Sequence, residues 1–179
     1  MNARERRYRS HGWRWLVLTA IVVALDQASK AWVMHSLRPG EVRPLTDFLS
    51  LVLAFNAGAA FSFLGDASGW QRWLFTAAAL VASGIIVWLL RRGGDAVYCA
   101  ALALILGGAL GNLWDRAVIG RVVDFILVHH YLPAALPGAA WLDPFPAFNV
   151  ADSAITLGAA LLIVDSFRQR HARIPASLA

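Results

Sequence analysis

The chain has 179 residues, of which 59% are hydrophobic and 15% are charged. Soluble globular proteins are about half apolar and about a quarter charged, so this composition excludes an ordinary water-soluble fold. It also excludes an intrinsically disordered chain, which requires low hydrophobicity and high net charge. A lone cysteine, Cys99, excludes an internal disulfide framework and a multi-cysteine metal site. The composition therefore predicts a membrane protein.

Four apolar segments are long enough to cross about 30 Å of hydrocarbon as helices. Their approximate bounds are 13–35, 73–90, 96–113 and 150–167. Two longer connections, residues 36–72 and 115–149, join the first span to the second and the third to the fourth. The sequence thus predicts an all-α polytopic membrane protein with four transmembrane helices, in which residues 1–179 form a single integral membrane domain.

The distribution of arginine predicts the orientation of these spans. The net charge is +5, and ten arginines lie before or at the start of the first span, in the turn between the second and third, or after the fourth. The two long connections share the other five. Because cytoplasmic loops retain positive charge, both termini are predicted to be cytoplasmic and both long connections to lie outside. Arginines placed beside apolar runs act as an orientation signal, so no nucleic acid partner is expected.

Asp26 and Lys30 interrupt the first apolar segment, so we expect a retained span rather than a cleavable signal peptide. Four residues apart, they lie on one helix face with the acid before the base, and they can neutralise one another. The pair is either an ion pair that fixes helix packing, or one member also contacts substrate or a loop backbone.

The two outer connections differ in character. Residues 47–63 are rich in Phe, Leu and Val and are interrupted by Asn56 and Gly58, which favours strand-like or interfacial structure on the outer leaflet. The second connection contains four prolines, which exclude a long helix there. These are Pro133, Pro137, Pro144 and Pro146.

Asp124 and Asp152 are the most informative acidic residues. Asp124 follows the third span on its outer side, and Asp152 lies in the first turn of the fourth span, which begins on that same side. If tertiary structure brings them together, two carboxyls in a poorly hydrated site share a proton and can act as general base and general acid, as in an aspartic peptidase. Paired aspartates can also hold a metal or relay protons, so composition alone leaves these possibilities open.

Other polar residues near the membrane boundary allow structural explanations. Asp115 and Arg116 begin the second connection and are expected to form an interfacial ion pair or a helix-end contact. Asn112 and Asn149 can donate hydrogen bonds to a carboxylate or a substrate carbonyl, and each can equally cap a helix end.

Five blocks along the chain together resemble the lipoprotein signal peptidase family, also called signal peptidase II. They are DQASK at 26–30, FNAGAAFSF at 55–63, GGALGNLWDR at 107–116, GRVVDF at 120–125 and FNVADS at 148–153. The resemblance implies an aspartic endopeptidase of the bacterial inner membrane that removes the signal peptide from prolipoproteins, cutting before the cysteine once it carries diacylglycerol. It also implies a small periplasmic β-like cradle between spans 1 and 2.

Position by position, the resemblance assigns Asp124 and Asp152 as the catalytic pair. Its supporting residues correspond to Asp26, Lys30, Asn56, Gly58, Gly108, Asn112, Arg116 and Asn149, with the two glycines as close-packing positions. No metal or cofactor is expected, and the implied partners are membrane-embedded prolipoproteins and the phospholipid bilayer. The segment between the catalytic blocks, within residues 129–147, is longer than is typical of the family, so its path is not predicted.

Two other functions are compatible with four membrane spans that carry acidic residues. A small proton-coupled transporter or channel subunit would use the aspartates as a relay, but it would distribute acidic groups across the bilayer depth and often contain paired repeats, and no repeat is visible. A non-catalytic assembly factor would tolerate substitution of both aspartates. The peptidase, acting as a monomer with its site near the periplasmic face, is the function that the sequence favours.

Overall fold

The structure is a computed structural model that describes residues 12–57, 69–129 and 143–172, with side chains described as far as residue 169. Gly58, which the resemblance assigns as a supporting residue, lies outside these ranges. So does most of the long segment 129–147. In chain order the elements are a 3₁₀ turn at Gly12–Trp15, α1 at Leu16–Ser36, β1 at Val42–Pro44, β2 at Leu49–Asn56, α2 at Trp70–Arg92, α3 at Ala96–Val118, β3 at Val122–Val128, β4 at Phe145–Phe148 and α4 at Val150–Ala172.

Within the described residues, four helices are long and apolar enough to cross a membrane, which confirms the four predicted segments. The third helix continues to Val118 rather than ending near residue 113. It ends where Gly120 adopts a φ of 84° and its N–H, like that of Ile119, bonds the Asp115 carbonyl. The prediction that Asp115 and Arg116 begin the outer connection is therefore wrong, because both belong to the last turns of α3.

Helix α3 is the centre of the bundle. It packs against each of the other three helices, α1 and α4 also touch, and α2 contacts α3 and the 3₁₀ turn. Small residues allow this close approach: a Cβ at Gly107 would collide with Val22, and one at Gly108 would collide with the Ala151 carbonyl oxygen. Gly108, for which the resemblance implies close packing, thus lies where α3 and α4 approach closely.

The strands form one antiparallel sheet in the order β1-β2-β3-β4. The expectation of a cradle between spans 1 and 2 is incomplete, because β3 and β4 come from the second connection. Proline is consistent with this arrangement, since Pro44 and Pro146 lie in the two edge strands, where a missing N–H breaks no ladder. Ala54 of β2 pairs with Asp124 of β3, so one of the two predicted catalytic acids belongs to the sheet.

The sheet lies at the end of the bundle where α1 and α3 finish and where α2 and α4 begin. The opposite end holds the 3₁₀ turn, where a Cβ at Gly12 would collide with the Leu90 carbonyl, and the turn between α2 and α3. Outward-facing residues along the helices are large and apolar, among them Trp73, Val81 and Leu157. The outer surface of the bundle is therefore suited to contact with lipid chains.

Candidate active site

Two short connections between a helix and a strand place the predicted acids side by side. Asp124 is the third residue of β3, which begins only four residues after α3 ends, and its side chain is 3% exposed. Asp152 is the third residue of α4, directly after β4. Because β3 pairs with β4, the start of α4 returns to the end of α3.

Asn149 joins the two acids. Its amide Nδ2 donates to Asp124 Oδ1 at 2.7 Å, and its backbone N–H donates to Asp152 Oδ2 at 3.3 Å. In return the Asp152 backbone N–H donates to Asn149 Oδ1 at 2.9 Å, which is the reciprocal pattern of a capping box. The two explanations offered for Asn149 are both correct: it caps α4 and it donates to a carboxyl. The two carboxyls, twenty-eight residues apart in sequence, thus both accept hydrogen bonds from Asn149, one from its side chain and one from its backbone.

The remaining carboxyl oxygens also accept amide hydrogen bonds. Asn112 Nδ2 donates to Asp152 Oδ1 at 2.8 Å, and Asn56 Nδ2 donates to Asp124 Oδ2 at 3.1 Å. Each acid is therefore held by two N–H groups, which fix the plane of its carboxyl. Asn56 and Asn112, which the resemblance assigns as supporting residues, thus each contact one of the two acids.

A buried ion cluster lies directly beneath the acids. Lys30 Nζ contacts Asp26 Oδ2 and Asp115 Oδ2, both at 2.8 Å, and none of the three side chains is more than 1% exposed. Lys30 also donates to Asn112 Oδ1 at 3.0 Å. Since the amide oxygen of Asn112 accepts from Lys30, its NH₂ group must face Asp152. The predicted pair of Asp26 with Lys30 is confirmed, and Asp115 joins that pair.

The same cluster holds the backbone immediately before each acid. Asp26 Oδ1 accepts from the Ala151 N–H at 2.9 Å, and Asp115 Oδ2 accepts from the Val123 N–H at 3.1 Å. Burying charges is costly unless they are paired and hydrogen-bonded, and both carboxylates meet that requirement. The cluster therefore fixes the backbone positions of Asp152 and Asp124 as well as the Asn112 amide.

Two residues of this cluster were not recognised as such from the sequence. Gln27 Nε2 donates to Asp26 Oδ2 at 3.1 Å and to Asp115 Oδ1 at 3.0 Å, bridging the two carboxylates. Gly111 leaves room for Asp26, because a Cβ there would lie 2.5 Å from Asp26 Oδ2. Both residues lie within blocks that carry the family resemblance, Gln27 in DQASK and Gly111 in GGALGNLWDR, and those blocks were the available signal.

Arg116 lies at the edge of the site. Its Nη1 donates to the Asn112 carbonyl at 3.3 Å, and its guanidinium lies 5.5 Å from the centre of the Phe75 ring of α2. Arg116 thus connects α2 to the part of α3 that carries Asn112.

Burial sets the protonation of the acid in the sheet. Loss of hydration, followed by the neighbouring charge of Asp152, raises the pKa of Asp124 to about 7. Hydrogen bonds from Asn56 and Asn149 and the charge of Lys30 act in the opposite direction but are outweighed. Near neutral pH, Asp124 can therefore hold a proton that it is also able to release.

Comparison with known proteins gives a consistent result. The family described as Signal peptidase (SPase) II matches residues 18–168. A protein of Ralstonia nicotianae named lipoprotein signal peptidase is 53% identical, with 87% of this chain and 84% of that protein covered. One of the same name from Pseudomonas putida is 46% identical, with 97% of each chain covered.

Two solved structures share the fold. A bacterial membrane enzyme determined by the in meso method at 2.3 Å superposes with a TM-score of 0.79 at 24% identity, covering 94% of this chain and 96% of that one. A second, determined by the same method at 1.9 Å, gives a TM-score of 0.73 at 26% identity, covering 88% and 95%. With the family match spanning most of the sequence and relatives near 50% identity, the chain belongs to the signal peptidase II family.

Proposed function

We propose that this chain is an aspartic endopeptidase that removes signal peptides from diacylglyceryl-modified prolipoproteins, cleaving before the lipidated cysteine. Membership of the signal peptidase II family and the shared name of its relatives support this activity. The observation that carries the proposal is the sharing of Asn149 by two hydrogen-bonded acids, Asp124 and Asp152, at one end of four membrane-length helices.

The proposed reaction divides its proton transfers between the two acids. Asp152, with N–H donors from Asn112 and Asn149 stabilising its charge, acts as the general base and takes a proton from water as the oxygen attacks the scissile carbonyl carbon. Asp124, whose pKa of about 7 allows it to be protonated, gives its proton to the carbonyl oxygen. As the resulting diol collapses, Asp152 protonates the departing amine and the diol hydroxyl returns a proton to Asp124. The amide bond and one water become a carboxylic acid and an amine, with both residues restored.

The position of the acids suits a lipid-anchored substrate. They lie where α3 ends and α4 begins, so a bilayer around the helices would place them near its boundary. At that depth the acyl chains of a lipidated cysteine remain in hydrocarbon while the amide bond beside it meets water and the carboxyls. Membrane-embedded prolipoproteins and the bilayer are therefore the proposed partners, and the site needs no second copy of the chain.

The proposed location is the bacterial inner membrane, with both termini cytoplasmic and with the sheet and the acids near the periplasmic face. The sequence supports this orientation, because ten of the fifteen arginines lie before or at the start of the first span, between the second and third spans, or after the fourth. Cys99 is fully buried, so a new cysteine would be the reactive one. In spheroplasts we expect a membrane-impermeant maleimide to label Asp47→Cys, at the sheet end, and to label Arg168→Cys only after permeabilisation. Labelling of the two variants in the reverse order would contradict the proposed orientation.

Purified chain acting on matched precursors tests the activity. We expect cleavage of a precursor whose cysteine carries diacylglycerol, and no cleavage of the same precursor without the lipid. Gel mobility and mass spectrometry of the new N-terminus would identify the cut. Equal cleavage of both precursors, or cleavage at another bond, would contradict the assignment.

A further inference from the structure

A cleft between α2 and α3 is not used by the proposed reaction. It lies in the half of the bundle away from the sheet and has a volume of about 330 Å³. Its floor includes Leu106 and Leu110 of α3, and its α2 side includes Ser83, Gly84 and Arg91. We name it the α2–α3 cleft. It is an apolar groove with two polar features.

The first polar feature is the Ser83 hydroxyl. The side chain is 93% buried, since its exposed fraction is 7%, and Oγ has no hydrogen-bond partner among the described residues. An unmade hydrogen bond is unfavourable in an apolar interior, and hydrocarbon offers no water to replace the missing partner. A molecule that fills the cleft and presents an oxygen would satisfy this hydroxyl.

The second polar feature is the charge of Arg91. Its side chain lines the same cleft, and it forms no ion pair with any acid in the part of the chain that the structure describes. Side chains on a helix lean toward its N-terminus, which brings Arg91 toward Ser83. A guanidinium fork matches phosphate oxygens in geometry as well as in charge. The cleft therefore pairs an anion-binding group with a hydrogen-bond donor above an apolar floor.

We propose that the α2–α3 cleft binds one anionic phospholipid. The phosphodiester binds Arg91, an ester carbonyl accepts a hydrogen bond from Ser83 Oγ, and an acyl chain lies over Leu106 and Leu110. Gly84 makes room for that chain, because no heavy atom lies within 4 Å of the position that a Cβ would take there.

Charge favours this occupant over the two other candidates. A signal helix begins with basic residues, and in the proposed orientation these would approach Arg91 and be repelled. A second copy related by a two-fold axis normal to the membrane would bring two Arg91 side chains to the same depth, again with repulsion. A phosphate group is attracted instead.

The bound lipid has a structural consequence for α2. Among the described elements this helix packs mainly against α3 and the 3₁₀ turn, and its Phe75 lies beneath Arg116 at the edge of the acids. A lipid that fills the space beside the α2–α3 contact therefore stabilises α2, and we expect its binding to raise the thermal unfolding midpoint.

Native mass spectrometry of the purified chain with equal amounts of phosphatidylglycerol and phosphatidylcholine tests the proposal. We expect one phosphatidylglycerol to be retained preferentially. Arg91→Gln should weaken its retention roughly ten-fold or more, because a charge-assisted contact is lost. Gly84→Leu should exclude the lipid by filling the cleft. The matched controls, Ala82→Leu on the lipid-facing side of α2 and Arg168→Gln at the same end of the bundle, should retain it.

Four results would overturn the proposal. These are equal retention of the two lipids, unchanged retention in both Arg91→Gln and Gly84→Leu, a dimer that Gly84→Leu dissociates, and weaker precursor binding by Gly84→Leu with phosphatidylglycerol still retained. The third would assign the cleft to a second copy and the fourth to the signal helix. The lipid readouts do not depend on peptidase activity.

Discussion

Replacing Asp124 by asparagine is expected to lower the rate of cleavage by about 10³-fold, the scale of a lost general acid. Asparagine has the same shape but holds no transferable proton; Asn149 can still donate to its amide oxygen, and Asn56 can accept from its NH₂ group after rotation of the Asn56 amide. The measurement is single-turnover cleavage of a lipidated precursor, with the unfolding midpoint recorded for the same preparation. Asp152→Asn should behave in the same way, because the proposed reaction requires both acids.

Asp47→Asn is the matched control for that experiment. Asp47 is an exposed residue in the turn between β1 and β2, so the same chemical change is made at the same end of the molecule, away from the acids. Its activity should equal that of the parent chain. If Asp124→Asn instead kept near-full activity while remaining folded, Asp124 would not be the general acid.

The pH dependence of cleavage tests whether Asp124 supplies the proton. Because burial and the charge of Asp152 raise the pKa of Asp124 to about 7, Asp124 is protonated below that pH, and cleavage should decline as the pH rises above it. Asn56→Ala removes a hydrogen bond that favours the charged form, so the pKa should rise and the alkaline limb should move to higher pH. If the alkaline limb of Asn56→Ala moved to lower pH instead, a group other than Asp124 would determine the decline in cleavage.

Replacing Lys30 by methionine is expected to destabilise the protein by about 3–5 kcal/mol. The substitution preserves most of the side-chain volume but leaves the buried carboxylates of Asp26 and Asp115 without their cation. It also frees the Asn112 amide to turn away from Asp152, so activity should fall beyond the loss of folded protein. Denaturant or thermal unfolding in one detergent measures the first effect, and kcat of the folded fraction measures the second.

Arg43→Gln is the control for the lysine substitution. Arg43 pairs with Glu41 at 3.0 Å, but both side chains are exposed, so their separation should leave the free energy of unfolding nearly unchanged. Adding Asp26→Asn to Lys30→Met should recover part of the loss, since one unpaired charge is removed. If Lys30→Met lost no more stability than Arg43→Gln, the buried ion cluster would not be what stabilises the region around the acids.

The sequence predicted the helices and the pair of acids because both depend on local signals. Apolar length alone locates a membrane helix, and the four segments correspond to four helices of the structure. Successive membrane helices cross in opposite directions, so the end of α3 lies on the same side of the bundle as the start of α4. Asp124 and Asp152 are therefore predicted at the same end of the bundle. That both acids contact Asn149 could be seen only in the three-dimensional structure.

Contacts between residues that are distant along the chain could not be predicted from such local signals. For Asp115 and Arg116 the sequence leaves open an interfacial ion pair or a helix-end contact; in the structure Arg116 donates to the Asn112 carbonyl, and Asp115 pairs with Lys30 of another helix. The sequence does not predict β3 and β4, because prolines are typical of irregular segments, yet Pro146 lies within an edge strand, where it is tolerated. The partner of Asp115 and these two strands are both determined by residues that are distant along the chain.

The division of the site among helices has a consequence for biosynthesis. Lys30 comes from the first helix, Asn112 from the third and Asp152 from the last, and ribosomes deliver them in that order. A nascent chain with its final helix still unmade lacks one acid and the Asn149 that joins the pair. In the proposed reaction, the newly made chain is therefore without hydrolytic capacity until α4 has been translated.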